Sequence, residues 1–201
     1  MTLHAGEVLS RLIAEHEAAL AALRDGPAAE RVAHAGELLT GTLQNGGTVF
    51  VCGNGGSAAD AQHFAAELTG RFESRTRPAL PGIALTVDTS ALTSIGNDFG
   101  FERVFARQLA GLAREGDALV GISTSGRSPN VLAAMAEART LGMRTVALTG
   151  EDASALAPFA DIAVAVPHPV TARVQELHIL VIHTWCALID GAFSSGEPGE
   201  S

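Results

Sequence analysis

Cysteine is scarce in this chain, which contains two. Cys52 ends an apolar run and Cys186 lies in an apolar helical stretch, with no Cys-x-x-Cys. A disulfide framework and a redox motif are therefore excluded, and both thiols are expected to be reduced, buried and non-nucleophilic. Also missing is an apolar run long enough and free enough of charge to cross a bilayer. Glu7, Arg11, Glu15 and Glu17 break up the N-terminal segment, which does not read as a signal peptide. A cytoplasmic protein with no membrane partner is expected. Basic charge is short as well, with 13 Lys and Arg against 22 Asp and Glu and a net charge of -9. Such a molecule repels polyanions, so no nucleic-acid partner is expected. A small phosphate ester remains admissible, held by local dipoles, hydroxyls and backbone N–H groups.

Two nucleotide-binding signatures are absent from the most distinctive stretch, Cys52-Gly-Asn-Gly-Gly-Ser-Ala-Ala-Asp-Ala-Gln-His-Phe-Ala-Ala-Glu67. It has no Gly-Lys-Ser/Thr ending, and Ala58 stands where a dinucleotide fingerprint needs its third glycine. What it does have is a strand-forming run, Val49 to Val51, a glycine turn, and then a helix. Ser57 is expected to cap that helix, with Asp60 completing a capping-box pattern. Within it, His63 and Glu67 are four residues apart and project from one face close to the turn. That places an acid–base group or a metal pair beside a flexible backbone. A lone glycine turn is more often an ordinary strand-to-helix connection with a surface histidine, so further support is needed.

The 201 residues, 47% hydrophobic with 22 glycines, suit a single α/β domain. Two amphipathic helices are expected first, over 2–24 and 28–45, detached from the sheet. Strand 48–52, helix 57–70, strand 82–87, helix 101–113, strand 118–122, helix 129–141 and strands 144–148 and 162–166 follow. Short helices are added at 89–95 and 152–158. This alternation predicts right-handed βαβ units on a parallel sheet. The segment 171–193 reads as a helix apolar on most of its circumference, which must be buried on several sides, either between subunits or as the core helix of a monomer. Asp88 and Asp117 read as ordinary strand-end residues, and 194–201 as a disordered tail.

A second loop shifts the balance toward a ligand site. After the strand that ends at Ile122 come Ser123-Thr-Ser-Gly-Arg-Ser-Pro-Asn130 and a helix. Ser123, Thr124, Ser125 and Ser128 can all donate to phosphate oxygens, the helix N-terminus favours an anion, and Pro129 suits the first helical turn. A serine-rich turn is usually only a turn. At the carboxyl end of a parallel strand, where open α/β sheets bind ligands, it points to phosphate.

Taken together, Gly53-Asn-Gly-Gly-Ser57, Glu67-Leu-Thr-Gly-Arg71, Gly96-Asn-Asp-Phe-Gly100, Ser123-Thr-Ser-Gly-x-Ser128 and Gln175-Glu-x-His178 resemble the sedoheptulose 7-phosphate isomerases of the sugar isomerase (SIS) fold. The likeness runs from the second helix to about residue 193. It implies a single SIS domain over 46–193, an αβα sandwich on a parallel sheet, with residues 1–45 packing on it and on neighbouring subunits. It further implies a homotetramer with active sites between subunits, and an aldose–ketose isomerisation of a sugar phosphate through an enediol. Glu67 and His183 match the catalytic pair. Asn54, Gly55, Gly56, Ser57, Arg71, Asn97, Asp98 and Gln175 match sugar-contacting positions, and Ser123, Thr124, Ser125 and Ser128 the phosphate loop. His63, Glu67, Gln175 and His183 match a zinc site found in some members. Helical spacing puts Gln175 and His183 on one side of the last helix and His178 on another, so His178 is read as structural. Ala172 stands where some members carry an acidic residue. The same Thr171-Ala-Arg stretch resembles a non-catalytic paralogue that binds the replication initiator DnaA, but that adaptor's usual sequence lacks the glutamate and second histidine. A sugar-phosphate sensor is a third reading, disfavoured by acidic N-terminal helices with no basic recognition helix.

Overall fold

The computed structural model describes residues 4–194. Helices α1 (Ala5–Asp25) and α2 (Ala28–Gln44) lead into a five-stranded sheet of β1 (Val49–Cys52), β2 (Gly82–Ala84), β3 (Ala118–Ser123), β4 (Arg144–Thr149) and β5 (Ile162–Ala165). The intervening helices are α3 (Gly56–Thr69), α4 (Thr89–Phe99), α5 (Ala106–Leu112) and α6 (Pro129–Thr140), and α7 (Thr171–Phe193) closes the chain. All pairings are parallel, in the order β2-β1-β3-β4-β5. Strands β1 and β3 are buried along their whole length, as continuous apolar runs in a sheet covered on both faces should be.

The two apolar layers differ in their helices. On one face the inward residues of β1, β3 and β4 pack with α2, α3 and α7; on the other, Phe50, Leu119 and Ala147 pack with α5 and α6. Trp185 of α7 is fully buried, and its indole N–H donates to the Val32 carbonyl of α2 at 2.9 Å. The N-terminal helix pair, detached in sequence from the strands, is thus not detached in space but packs on the domain. Ala35 and Leu39 of α2 are completely buried, and α1 is joined to α7 by Glu15–Arg173 and His16–Glu176 contacts. Contrary to the reading of the sequence, helix α7 is by length and composition apolar enough to cross a bilayer, with a mean hydropathy of 1.3. Here it is a core helix, packed on α1, α2 and α3 and carrying buried Arg173 and Asp190.

Several boundaries move for physical reasons. Strand β2, at the edge of the sheet beside β1, stops at Ala84 opposite Val51, one residue before β1 ends at Cys52. The expected helix 101–113 divides into a 3-10 turn at Phe101–Arg103 and helix α5, with Val104 and Phe105 turned into the core at the junction. Helix α4 runs on to Phe99, and the expected helix 152–158 is only a 3-10 turn at Ala157–Phe159. Asp88 does more than end a strand. Its carboxylate accepts from the Ala91 N–H and caps α4. Asp117 likewise accepts from the backbone N–H groups of Thr48 and Arg114, tying β3 to the start of β1. The tail expectation falls on residues 195–201, outside the described residues.

Candidate active site

Strand order places the site. The chain leaves β1 for β2 on one side and returns to β3 on the other, so β1 and β3 are neighbours whose following helices, α3 and α6, cover opposite faces. The two loops flagged in the sequence therefore flank one crevice at the carboxyl edge of the sheet, the position where open α/β sheets bind ligands.

The first loop, 53–56, begins α3 one residue earlier than expected. Gly55 is the N-cap, and Ser57 lies buried inside the first turn without capping it. Asp60 does not complete a capping box. Its Oδ2 is buried without a hydrogen-bond partner, and burial pushes its carboxyl above the ordinary range, partly offset by His63. The loop instead closes through its own backbone, with the Ser57 N–H donating to the Asn54 carbonyl at 3.0 Å. At Gly56 a β-carbon would overlap the Gln175 side-chain amide of α7.

Further along that seam lie the titratable groups. His63 Nε2 is 3.0 Å from Glu67 Oε1, one turn away on α3. His183 of α7 brings its Nε2 to 3.4 Å from His63 Nε2, the rings meeting edge to face with centroids 5.1 Å apart. The Phe72 ring lies 5.2 Å from that of His183. Glu67 is largely covered, with a side-chain exposure of 22%. A carboxylate and an imidazole from different helices are thus gathered within reach of one small molecule, the requirement for moving a proton between adjacent carbons. His178 is elsewhere: wholly buried, it faces the end of β4, where its Nε2–H donates to the Thr149 carbonyl at 3.0 Å. Its Nδ1 has no partner, and burial holds the ring down to about 4.

The second loop is arranged around hydroxyls. Ser123 Oγ lies 2.9 Å from Ser128 Oγ and 3.4 Å from Ser125 Oγ, and Ser125 Oγ accepts from the Arg127 N–H at 3.3 Å. Thr124 is half-buried beside them. Ser128 is the N-cap residue of α6 and Pro129 its first residue, as expected; Ser128 makes no side-chain cap, and the Val131 N–H is taken by Asn130 Oδ1 at 3.0 Å and the Leu132 N–H by the Ser128 carbonyl at 2.9 Å. Gly126 has φ +66°, and a β-carbon there would run into the Asp152 carbonyl, so the loop folds back tightly on its neighbour.

One contact between the loops had no sequence signal. Asn54 and Asn130 exchange side-chain hydrogen bonds, each Nδ2 donating to the other's Oδ1 at 2.8 Å, which locks the glycine turn to the hydroxyl loop. The two residues are 76 positions apart, and only the β1–β3 pairing brings them together. The remaining expected residues are not gathered in. Asn97 donates to Asp98 at 2.7 Å, both exposed on α4, and Arg71 donates to the Phe72 carbonyl at 3.3 Å. Within a single chain these three make local hydrogen bonds.

The four expected metal ligands all lie along the α3–α7 seam. Among the described residues, no three His, Cys, Asp or Glu side chains already surround a single point. The donor types nevertheless suit zinc: arms of about 2.0–2.1 Å in a tetrahedron put ligand atoms about 3.3 Å apart. The 3.4 Å His63–His183 and 3.0 Å His63–Glu67 separations are close to that edge.

With this geometry in place, the comparisons with known proteins are informative. The model of the SIS domain family matches residues 11–150. Phosphoheptose isomerase of Campylobacter jejuni is 56% identical over 163 residues, covering 81% of this chain and 87% of that protein. The solved structure of phosphoheptose isomerase GmhA from Neisseria gonorrhoeae superposes with a TM-score of 0.87 at 47% identity, covering 94% of this chain and all of that one. A phosphoheptose isomerase from Francisella tularensis gives a TM-score of 0.86 at 39% identity with the same coverage.

Proposed function

Because the chain belongs to the phosphoheptose isomerase family of SIS domains, we propose that it interconverts D-sedoheptulose 7-phosphate and D-glycero-D-manno-heptose 7-phosphate through an enediol. The observation that carries this reading is the meeting of Glu67, His63 and His183 on the α3–α7 seam, at the same sheet edge as the hydroxyl loop. The hydroxyls of Ser123, Thr124, Ser125 and Ser128, gathered at the N-terminus of α6, hold the phosphate. Asn54, Gly55, Gly56, Ser57 and Gln175 line the path of the sugar, and Arg71, Asn97 and Asp98 complete it across a subunit boundary. Glu67 takes the proton from one of the two adjacent carbons and returns it to the other, while His183 supplies and recovers a proton at the oxygens.

His63, Glu67, Gln175 and His183 would hold one zinc ion per subunit. Such an ion supplies a Lewis acid for the carbonyl and enediolate oxygens. Metal analysis of the purified protein should find zinc in the wild type and little in His63→Ala; equal content in the two would remove His63 from the ligand set. A homotetramer is supported by apolar side chains left open on one chain, Leu9 and Ile13 of α1 and Leu180 and Leu188 of α7. Sedimentation equilibrium at micromolar concentration tests it, and a monomer there would contradict it. A cytoplasmic location with a small-molecule partner is the matching setting.

The deciding experiment is NMR of the zinc-supplemented protein with sedoheptulose 7-phosphate in D2O. New aldose anomeric signals, with deuterium entering at C2, are expected. No conversion by folded, metal-loaded protein overturns the reading. Neither the adaptor for DnaA nor the sensor is favoured by any feature of the structure, since both leave the cluster of Glu67, His63 and His183 without a purpose.

A further inference from the structure

The loop between α3 and β2 is fastened by a buried ion pair that the chemistry above does not use. The side chains of Arg77 and Asp190 are 1% and 7% exposed. Arg77 Nε donates to Asp190 Oδ1. Its Nη1 donates to the Leu68 carbonyl at 2.9 Å and the Pro78 carbonyl at 2.8 Å, and its Nη2 to the Glu67 carbonyl. Glu67 and Leu68 lie in the last turn of α3, where carbonyls lack partners within the helix and a cation is favoured. The guanidinium is therefore the C-terminal cap of the helix that carries Glu67. Asp190, on α7, uses its second oxygen to accept from the Glu73 N–H at 2.8 Å and the Ser74 N–H at 2.7 Å.

Burying such a pair gains little stability over apolar packing, because desolvation opposes the attraction; what it fixes is geometry. The location gives that geometry a purpose. Asp190 lies seven residues beyond His183, about two turns along the same helix. The pair thus grips α3 at Glu67 and α7 about two turns beyond His183. The buried Cys186 thiol is raised to about 12, by burial first and then by the charges of Glu67 and Asp190, with Arg77 opposing.

We infer that Arg77 and Asp190 are positioning residues for the isomerisation, a buried strut that sets the spacing between Glu67 on α3 and His183 on α7. The inference rests on the isomerase reading above, and its test separates the two. Asp190→Asn keeps the shape and an acceptor for the loop N–H groups but removes the charge that orients Arg77. Arg77→Lys keeps the charge but cannot span three carbonyls and a carboxylate. Both variants should lose about 10- to 100-fold in kcat, the cost of a small misplacement of reacting groups. Their KM for the sugar phosphate should stay close to that of the wild type, because the hydroxyl loop lies on β3, away from the strut. Leu43→Ala, a buried change at the far end of α2, should lower Tm without lowering kcat. Folded Asp190→Asn and Arg77→Lys proteins with wild-type kcat overturn the strut, as does a rise confined to KM or a kcat loss matched by Leu43→Ala. If the wild type itself does not convert the ketose, the isomerase reading falls separately. The strut is then judged by the imidazole 15N resonances of His63 and His183, which shift in Asp190→Asn if it positions these rings and stay in place if it does not.

Discussion

Acid should weaken this fold through one histidine in particular. His178 has no solvent contact, donates to the Thr149 carbonyl and leaves Nδ1 unpartnered. Burial lowers it from 6.5 to about 4, with the Thr149 hydrogen bond opposing only in part. The sign follows from which state binds the proton. Between those two values the unfolded chain is protonated at His178 and the folded chain is not, so stability rises with pH across this window and falls on acidification. The penalty is absent well above 6.5 and levels off below about 4. At about pH 4.5 the ratio of binding polynomials gives a loss of about 2.5 kcal/mol relative to neutral pH. For a chain of this size that corresponds to roughly 5–10 °C in Tm.

The assay is urea unfolding at a fixed protein concentration in a chelator, followed by the fluorescence of Trp185, the single tryptophan. It is run near neutral pH and near pH 4.5. Carboxylates titrate over the same range, so the wild type is compared with His178→Gln, whose amide can still donate to Thr149. Subtracting the two pH dependences isolates the histidine. The wild type should lose about 2.5 kcal/mol more than the variant. Equal losses in the two proteins would refute the argument from burial.

Three further outcomes follow from the site. Glu67→Gln should keep its far-UV circular dichroism and lose about 10²- to 10⁴-fold in turnover, the usual contribution of a positioned base; wild-type activity would remove Glu67 from that role. Gly56→Ala should displace Gln175, raising KM for the sugar phosphate and lowering zinc content while Tm changes little. Unchanged values of both would mean that the amide does not act from its place against the turn. Cys52 and Cys186, both buried with thiols pushed up to about 12, should not react with a thiol reagent until the protein is denatured. Rapid labelling of the native protein would contradict their burial.

Much of the fold could be read from the sequence, because the central strands are short apolar runs, the helices between them have helical periodicity, and α7 is apolar enough all round to demand burial. The failures came where partners decide the outcome. Residues 85–87 have strand-like composition, yet β2 ends at Ala84, opposite Val51, and its neighbour β1 runs only one residue further, to Cys52. Helix α2 has an ordinary amphipathic pattern that gives no sign of which surface it meets, and it meets α7 and the sheet. An expectation of detachment had no packing information to correct it.

The site was legible in a similarly divided way. Residues close in sequence, such as His63 with Glu67 or Ser123 with Ser128, announce themselves by spacing, because a helix turn or a tight loop fixes their distance in advance. Contacts made by the sheet order leave no such trace. Asn54 meets Asn130 only because β1 and β3 are neighbours, and Arg77 meets Asp190 only because α7 returns to α3 after more than a hundred residues. Ser57 and Asp60 show the opposite error, a local capping pattern overridden when the glycine turn starts the helix one residue early. The reacting groups are thus written locally, while the groups that hold them in register are written across the fold. A change at Asn130 or Arg77 would therefore leave every recognisable motif intact and still disturb the chemistry.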